Sequence, residues 1–260
     1  MNFSLIPCRG GIALACALLA PPVAADLTLI GRSAVASLGM PSMSQERLQL
    51  KKDRLRRDLI DRGRAYSYLF DFKAREIVVL DHAFRSAEVH SLAKVDAAKG
   101  KTPQNSVKVT LAKTGKQHGI RHWKCDEHSL QSDMVTQLGT DAAVFRMVGS
   151  VWLAANTPEQ REMTSLREAA GNADYLLGLP STAQVPPDQA RAIGETIRQL
   201  SRKGILCGLD VQTRYEGSGR MVELARKVAT RLTIAYLDFS TEKIADSAFL
   251  VPDGYRVIKQ

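Results

Sequence analysis

Residues 65–72, with the sequence AYSYLFDF, carry the clearest structural signal of the chain. Aromatic residues occupy every second position: Tyr66, Tyr68, Phe70 and Phe72. Successive side chains of a β-strand point to opposite faces of a sheet, so a strand here places all four rings on one face. The other face receives small or polar side chains, with Leu69 as the exception. The stretch therefore predicts a half-buried strand with an aromatic face.

Strand patterns continue on both sides of this stretch. Period-two alternation covers residues 46–89, and we predict further strands in four segments: 107–111, 120–130, 206–215 and 230–237. Residues 77–80 and 144–154 are apolar on both faces, which predicts strands that are covered on both sides. A turn over residues 249–255 leads into a last short strand.

Two helices interrupt the strands. Thr157 is the expected N-cap of the first, with Pro158 at the first helical position and Gln160 completing a capping box. This helix is expected to stop at Gly171. A second helix begins at a Pro-Pro-Asp sequence and completes a helical block over about residues 157–204. Consecutive short strands with one helical block indicate an α+β fold of mainly antiparallel strands.

Residues 1–25 have the pattern of an export signal. Arg9 supplies a positive charge, residues 11–20 form a short apolar run, and three small residues precede a cleavage site before Asp26. The apolar run is too short to remain as a membrane anchor. We therefore expect residues 26–260 to fold outside the cytoplasm as a single domain, with a substantial core because 45% of the chain is hydrophobic.

The cysteines agree with export. Cys8 and Cys16 leave with the signal, and residues 13–16 resemble a lipidation box too weakly to predict a lipid-anchored form. Cys125 and Cys207 remain. Two cysteines in an oxidising compartment form a disulfide by default, and two buried free thiols are the alternative.

The positive charge of the chain suits anionic partners. The formal net charge is +9, and the segment Lys51–Arg64 contributes seven Lys or Arg residues. Near an anionic membrane each such charge is worth about 1 kcal/mol, so Arg54, Arg56 and Arg57 are candidates for lipid headgroup contacts. The alternative is a solvated strand face, since three Asp residues interrupt the segment. Nucleic acid is not an expected partner, because no recognition motif accompanies the charge.

The residues typical of chemistry are sparse. His118, His122 and His128 surround Cys125 at close spacing, which makes a metal site an alternative hypothesis. On one strand, however, the three histidines share a face and Cys125 points away from it. The sequence contains no serine nucleophile elbow, metalloprotease helix or phosphate-binding glycine loop. We therefore expect a protein without enzymatic activity and without a cofactor.

Four parts of the sequence are informative in their order and spacing. They are the opening meander (54–56, 65–72 and 76–81), GIRHWKCDE at 119–127, VWLA at 151–154 and VPDGY at 251–255. Together they resemble a family of exported bacterial proteins of uncharacterised function, related to the periplasmic lipoprotein carriers of the LolA type. The resemblance spans about residues 54–259 and is thin over 177–202, so the helix around residues 178–203 is treated as an insertion. His122 and His128 depart from the family pattern, so the histidines are not inherited from a family site.

The resemblance implies a strongly curved sheet, a half-barrel, with two helices on its concave side, in a protein of the periplasm. In the better-known relatives the concave side binds acyl chains, and burial contributes roughly 0.8 kcal/mol per methylene. The expected function is therefore non-enzymatic binding of a lipid, lipoprotein or other amphiphile in the groove. The candidates for its lining are Tyr66, Tyr68, Phe70, Phe72 and Trp152. The alternative in the same fold is a filled groove in an envelope scaffold or interaction module.

Overall fold

The computed structural model describes residues 26–37, 40–61, 63–93, 107–176, 187–227 and 230–260. The proposed signal peptide (1–25), the loop expected near 95–105 and the connection between the two predicted helices (177–186) lie outside these residues. The strands are β1 (Leu27–Ser37), β2 (Met40–Lys51), β3 (Arg54–Asp61), β4 (Arg64–Asp71), β5 (Glu76–Asp81), β6 (Ser86–Ser91), β7 (Val107–Ile120), β8 (Trp123–Leu138), β9 (Asp141–Ala154), β10 (Ile205–Gly217), β11 (Thr230–Ser240) and β12 (Arg256–Lys259). The helices are α1 (Met163–Ala169), α2 (Ala173–Leu176), α3 (Pro187–Lys203) and α4 (Arg220–Arg226).

All twelve strands belong to one open sheet. Its order is β12-β6-β5-β4-β3-β2-β1-β11-β10-β9-β8-β7. Every neighbouring pair is antiparallel except β12 and β6, which are parallel. The predicted α+β class with a mainly antiparallel, curved sheet is confirmed.

The sheet curls most strongly at β7–β11. Arg121, in the turn after β7, pairs with Asp238 of β11 (Nη2 to Oδ2, 3.0 Å), although three strands separate them in the sheet order. The predicted disulfide between Cys125 of β8 and Cys207 of β10 is confirmed, with Cα atoms 6.3 Å apart. Two strand spacings would place these atoms roughly 9.6 Å apart. The disulfide therefore joins strands on either side of β9 where that strand ends and the curl brings them together.

The helical block covers the concave face, which we define as the face of the sheet that carries Leu48 and Leu50 of β2. Helix α1 packs on β2 and β3, and α3 packs on β7 to β10. Ser132 of β8 and Thr196 of α3 share a buried hydrogen bond of 2.7 Å across this interface. The placement of helices on the concave side, predicted from the resemblance, is confirmed. None of the helices among the described residues is long and apolar enough to cross a bilayer.

The start of the helical block differs from the prediction. Pro158 begins a 3-10 turn, but Thr157 makes no side-chain cap bond, and its buried hydroxyl has no hydrogen-bond partner. Gln160 donates to the carbonyl of Arg202 at 3.1 Å instead of closing a capping box. The block also continues past Gly171 to Leu176. The predicted capping box is therefore wrong, because a contact with α3 replaces the local signal. Helix α1 itself ends at Ala169, close to the predicted stop, and the block continues as a 3-10 turn and the short helix α2.

The C-terminal segment, which we define as residues 241–255 between β11 and β12, covers part of the outer face, the side of the sheet opposite the concave face. Leu69, Leu80 and Ala87 form a small buried cluster there, against which Val251 and Tyr255 pack. Leu69, the residue that broke the polar face of the aromatic strand, is buried for this reason. The strands β4 to β6 are thus covered on both sides.

Gly194 marks the closest approach inside the helical block. A Cβ atom at this position would lie 2.1 Å from the carbonyl oxygen of Ala170. Glycine to alanine in a helix normally stabilises by about 1 kcal/mol, but here the helices must separate. We predict that Gly194→Ala lowers the free energy of unfolding by at least 1–3 kcal/mol in urea denaturation.

Gly171→Ala is the matched control, since its nearest neighbour is the flexible side chain of Arg198 at 3.3 Å. This variant should be neutral or slightly stabilising. Equal stability of the Gly194 and Gly171 variants would contradict the close packing of α3 on the preceding 3-10 turn.

Candidate functional site

Tyr66, Tyr68 and Phe70 of β4 lie on the concave face, and Phe72, in the turn after β4, stacks on Phe70 with ring centroids 5.9 Å apart. Phe70 lies between Leu55 and Ile77 of the flanking strands, and Tyr68 lies between Arg57 and Val79. Tyr68 and Phe70 are 5% and 1% exposed, whereas Tyr66 and Phe72 are half-buried. Burial of Tyr68 and Phe70 places them in the core under the helical block, and Tyr66 and Phe72 continue the stripe to less covered positions.

Trp152 lies on β9, away from this stripe in the sheet, and is half-buried. It packs against the hydrophobic core that includes Tyr68 and Phe70. Its ring lies 6.0 Å from the ring of His118 of β7, measured between centroids. Its assignment to the lining of the groove stays a prediction.

A buried ion pair lies beside the aromatic stripe. The Arg57 guanidinium donates to Oε2 of Glu46 at 2.7 Å, and the Tyr236 hydroxyl donates to Oε1 at 2.7 Å. Arg57 also donates to the backbone carbonyl of Leu176, at the end of α2. Glu46, Arg57 and Tyr236 are all buried, so we call these three residues the buried triad. The triad joins β2, β3 and β11 to the end of a helix that covers them.

The electrostatics of the triad favour the charged pair. Burial raises the pKa of Glu46, but the positive charge of Arg57 and the hydrogen bonds from Arg57 and Tyr236 outweigh burial, so the pKa is lower than usual. Burial and the nearby Glu46 carboxylate raise the pKa of Tyr236 well above its ordinary value. The pair therefore contributes stability above the unfolded pKa of Glu46, near 4.5, and loses it as the pH falls through the folded value.

The arginines predicted to contact lipid headgroups are engaged within the fold. Arg57 is 4% exposed in the triad, so its assignment to headgroups is wrong. Arg54 and Arg56 alternate with it and lie on the outer face, where Arg54 pairs with Asp246 at 2.5 Å. Arg56 donates to the carbonyl of Ala248 at 2.7 Å. Both hold the C-terminal segment, because the acidic and carbonyl groups of this segment lie directly over them.

A second polar network fastens the same segment near its end. The Ser67 hydroxyl donates to Asp58 at 2.6 Å and lies 2.7 Å from Nε2 of His82, whose Nδ1 lies 2.5 Å from the Tyr255 hydroxyl. Ser67 is fully buried, so its hydroxyl is not an exposed nucleophile. Its contact with His82 instead helps to hold Tyr255 in place. Burial and the charge of Arg56 lower the pKa of His82, although the carboxylates of Asp58 and Asp81 act in the opposite direction.

The histidines proposed as metal ligands are separated by their contacts. His118 meets Trp152, His122 lies 5.0 Å from the Phe239 ring, and Nδ1 of His128 lies 3.1 Å from the carbonyl of Asp126. Cys125 is in the disulfide. Within the described part of the chain, no three His, Cys, Asp or Glu residues are arranged to hold a metal ion.

The comparisons with known proteins add little. The chain matches no protein-family model and no curated protein. Among solved structures it is similar to one described as "Structure of PNGF-II in C2 space group", at 10% sequence identity and a TM-score of 0.35. The alignment covers 91% of this chain and 31% of that chain, so this chain spans less than a third of the neighbour. A similarity at this level supports neither a fold assignment nor a function.

The buried triad gives a prediction for stability. Arg57→Leu leaves the Glu46 carboxylate buried without its cation, which should lower the free energy of unfolding by roughly 3–5 kcal/mol. The double variant Glu46→Leu with Arg57→Leu removes both charges and should recover most of that loss. Urea denaturation of the two single variants and the double variant measures the coupling. Additive effects of the two substitutions would show that the pair is not coupled.

The network around His82 gives a prediction for pH dependence. Because the pKa of His82 is lowered in the fold, the unfolded chain binds more protons below about pH 6.5, and the free energy of unfolding falls as the pH drops. In His82→Gln this fall between pH 7.5 and pH 5.0 should be smaller. Equal falls in the variant and the parent protein, measured in urea at both pH values, would refute the assignment.

Proposed function

We propose that this protein is a non-enzymatic, exported protein that binds the acyl chain of a lipid, lipoprotein or other amphiphile on its concave face, beneath the helical block. The observation that carries the proposal is the composition of that face and of its cover. An aromatic and aliphatic sheet surface is covered by helices that pack on it through side chains. Separation of the helices from the sheet would expose apolar surface without breaking any strand pairing.

The end of α2 is attached to the sheet through two described contacts that differ in kind. Leu176 is held by Arg57 of the buried triad, and the Tyr175 ring lies 5.2 Å from the His90 ring of β6. Arg57 is paired with Tyr68, and His90 lies across Ile77 from Phe70, so this end lies over the centre of the stripe. The half-buried rings, Tyr66 and Phe72, lie on either side of it. An acyl chain that enters here would extend the apolar contacts of the stripe, because its methylenes replace water against the rings.

The energetics suit a binding device without catalytic groups. Ten buried methylenes contribute roughly 8 kcal/mol before the costs of ordering the chain and moving the cover. Local openings of a folded protein span from about zero to the full free energy of unfolding, which for ordinary domains is about 5–15 kcal/mol. The gain from one acyl chain is therefore of the size needed to offset a partial opening of the helical block.

The cellular setting of the proposal comes from the sequence. Export to the periplasm rests on the signal-like pattern of residues 1–25, and the resemblance to LolA-type carriers favours acyl chains as the cargo. The net charge of +9 favours an anionic membrane surface as a further partner and is compatible with the same setting. No nucleic acid is required.

A second candidate function is an envelope scaffold or interaction module. The burial of Tyr68 and Phe70 favours it, since these rings already fill the space that a cargo would use at the centre of the stripe. In that case the concave face is an ordinary core, and the outer surface of the protein carries the function.

Native mass spectrometry of the protein purified without detergent tests the proposal. We predict a discrete mass excess that extracts into organic solvent and fragments as lipid. Phe72→Asp should remove most of this excess, because it places a charge on the half-buried part of the stripe without replacing a fully buried ring.

Leu237→Asp is the matched control, since Leu237 is 60% exposed on the outer face of β11. This variant should keep the bound mass. A bare polypeptide mass for the parent protein would contradict the carrier function and favour the scaffold.

A further inference from the structure

One end of the sheet concentrates exposed apolar side chains. This end, the hairpin rim, carries the turns after β3, β5 and β8 and the helix α4 that follows β10; the helical block leaves and rejoins the sheet at the opposite end. Most of the large, exposed apolar residues of the described chain lie at the rim, in α4, in the β5–β6 turn or within four residues of a strand end at the rim: Met43, Ile60, Phe84, Val135, Met221, Leu224 and Val257. The other three lie elsewhere: Ile30, Leu237 and Leu250.

Helix α4 presents two of these residues in a fixed position. Val222 is fully buried, whereas Met221 and Leu224, three residues apart, share the exposed side of the helix. The carboxylate of Asp141, in the β8–β9 hairpin, accepts a hydrogen bond of 2.8 Å from the backbone of Met221. Gly219 before the helix has a φ of 115°, and a Cβ atom there would collide with Asp141. The helix is therefore attached firmly to the rim with its apolar side outward.

Cations flank the exposed apolar residues at the rim. Arg220, Arg226 and Lys227 are exposed in and beside α4, where the carboxylates are those of Glu223 in the helix and Asp141 at its start. At the β5–β6 turn, Phe84 is 73% exposed and has Arg85 next to it in the chain. The Arg64 guanidinium lies 5.3 Å from the Phe84 ring and pairs with Asp81. Arg226 donates to the nearby carbonyl of Gly217. Within the described ranges, Arg220 and Lys227 do not hold another segment against the sheet, in contrast to Arg54, Arg56 and Arg57.

We propose that the hairpin rim docks on an anionic membrane surface. Phe84, Met221 and Leu224 enter the interface between headgroups and acyl chains, and Arg220, Arg85 and Lys227 contact lipid phosphates. Amphipathic side chains beside cations favour this interface over bulk water. The apolar residues are distributed along a rim with cations between them, which suits a planar anionic surface better than the contiguous apolar core of a protein interface.

The proposal goes beyond cargo binding and does not depend on it. The rim residues lie on turns and on α4, and the aromatic stripe of β4 lies under the helical block. A cargo-free protein would still dock, and a protein with cargo but without a functional rim would not. The two proposals therefore fail independently.

Co-sedimentation with vesicles tests the rim. We expect the purified protein to bind vesicles of phosphatidylglycerol and phosphatidylcholine at least tenfold more tightly than vesicles of phosphatidylcholine alone, and to lose most of this binding in 0.5 M salt because ions screen the cations. The triple variant Phe84→Ser, Met221→Ser, Leu224→Ser should weaken binding at least tenfold. Arg220→Gln with Lys227→Gln should reduce the preference for anionic vesicles.

Ile30→Ser with Leu237→Ser is the matched control, because both residues are exposed and apolar but lie near the opposite end of their strands. Thermal unfolding of every variant verifies that each is folded, and native mass spectrometry of the same preparations records bound lipid separately. Absence of binding to anionic vesicles, or binding that the rim variants leave unchanged, overturns the proposal. Equal loss in the control variant would show that any exposed apolar residue suffices and would overturn it as well.

Discussion

The contact on which the covered concave face depends is the ion pair between Arg57 and Glu46. Each partner is buried, so neither charge is tolerable without the other. Nη1 of Arg57 donates to the carbonyl of Leu176, and the second oxygen of Glu46 accepts a hydrogen bond from the hydroxyl of Tyr236. One polar site thereby joins three strands and the end of α2 in a single arrangement. A concave face with only apolar contacts would hold the helices less specifically.

The same sheet is used differently on its two faces. The concave face receives the helical block, whose helix α3 is joined to β8 by the hydrogen bond of Ser132 with Thr196. The outer face of β3 to β6 receives the C-terminal segment, which Arg54, Arg56 and His82 fasten through specific polar contacts. The C-terminal segment is held on the outer face by charged side chains, whereas the helical block packs on the concave face mainly through apolar ones. We therefore place the proposed amphiphile site under the helical block.

The sequence predicted the strands well because alternation is a local property. The AYSYLFDF strand, the central strand near residues 144–154 and the helix that begins at Pro187 lie close to where the pattern indicated. The partners of the charged residues are not local: Arg57 and Leu176 are 119 positions apart, and Glu46 and Tyr236 are 190 apart. A signal for the triad was nevertheless present, since Glu46 and Arg57 occupy the same alternation phase as Leu48 and Leu55, where an apolar residue is expected. The missing cap at Thr157 depends on long-range packing that no local pattern contains.

Hydrogen exchange of the detergent-free protein, measured by mass spectrometry with and without a single-chain phospholipid, tests the central claim most directly. The claim is that the helical block is a cover that separates from an intact sheet. It predicts that amides of residues 158–176 and 187–203 exchange faster than those of β2 to β4, and that added lipid slows the exchange of these helices. Helices protected as strongly as the strands, and unaffected by lipid, would contradict a cover that opens and would assign the concave face to a permanently filled core.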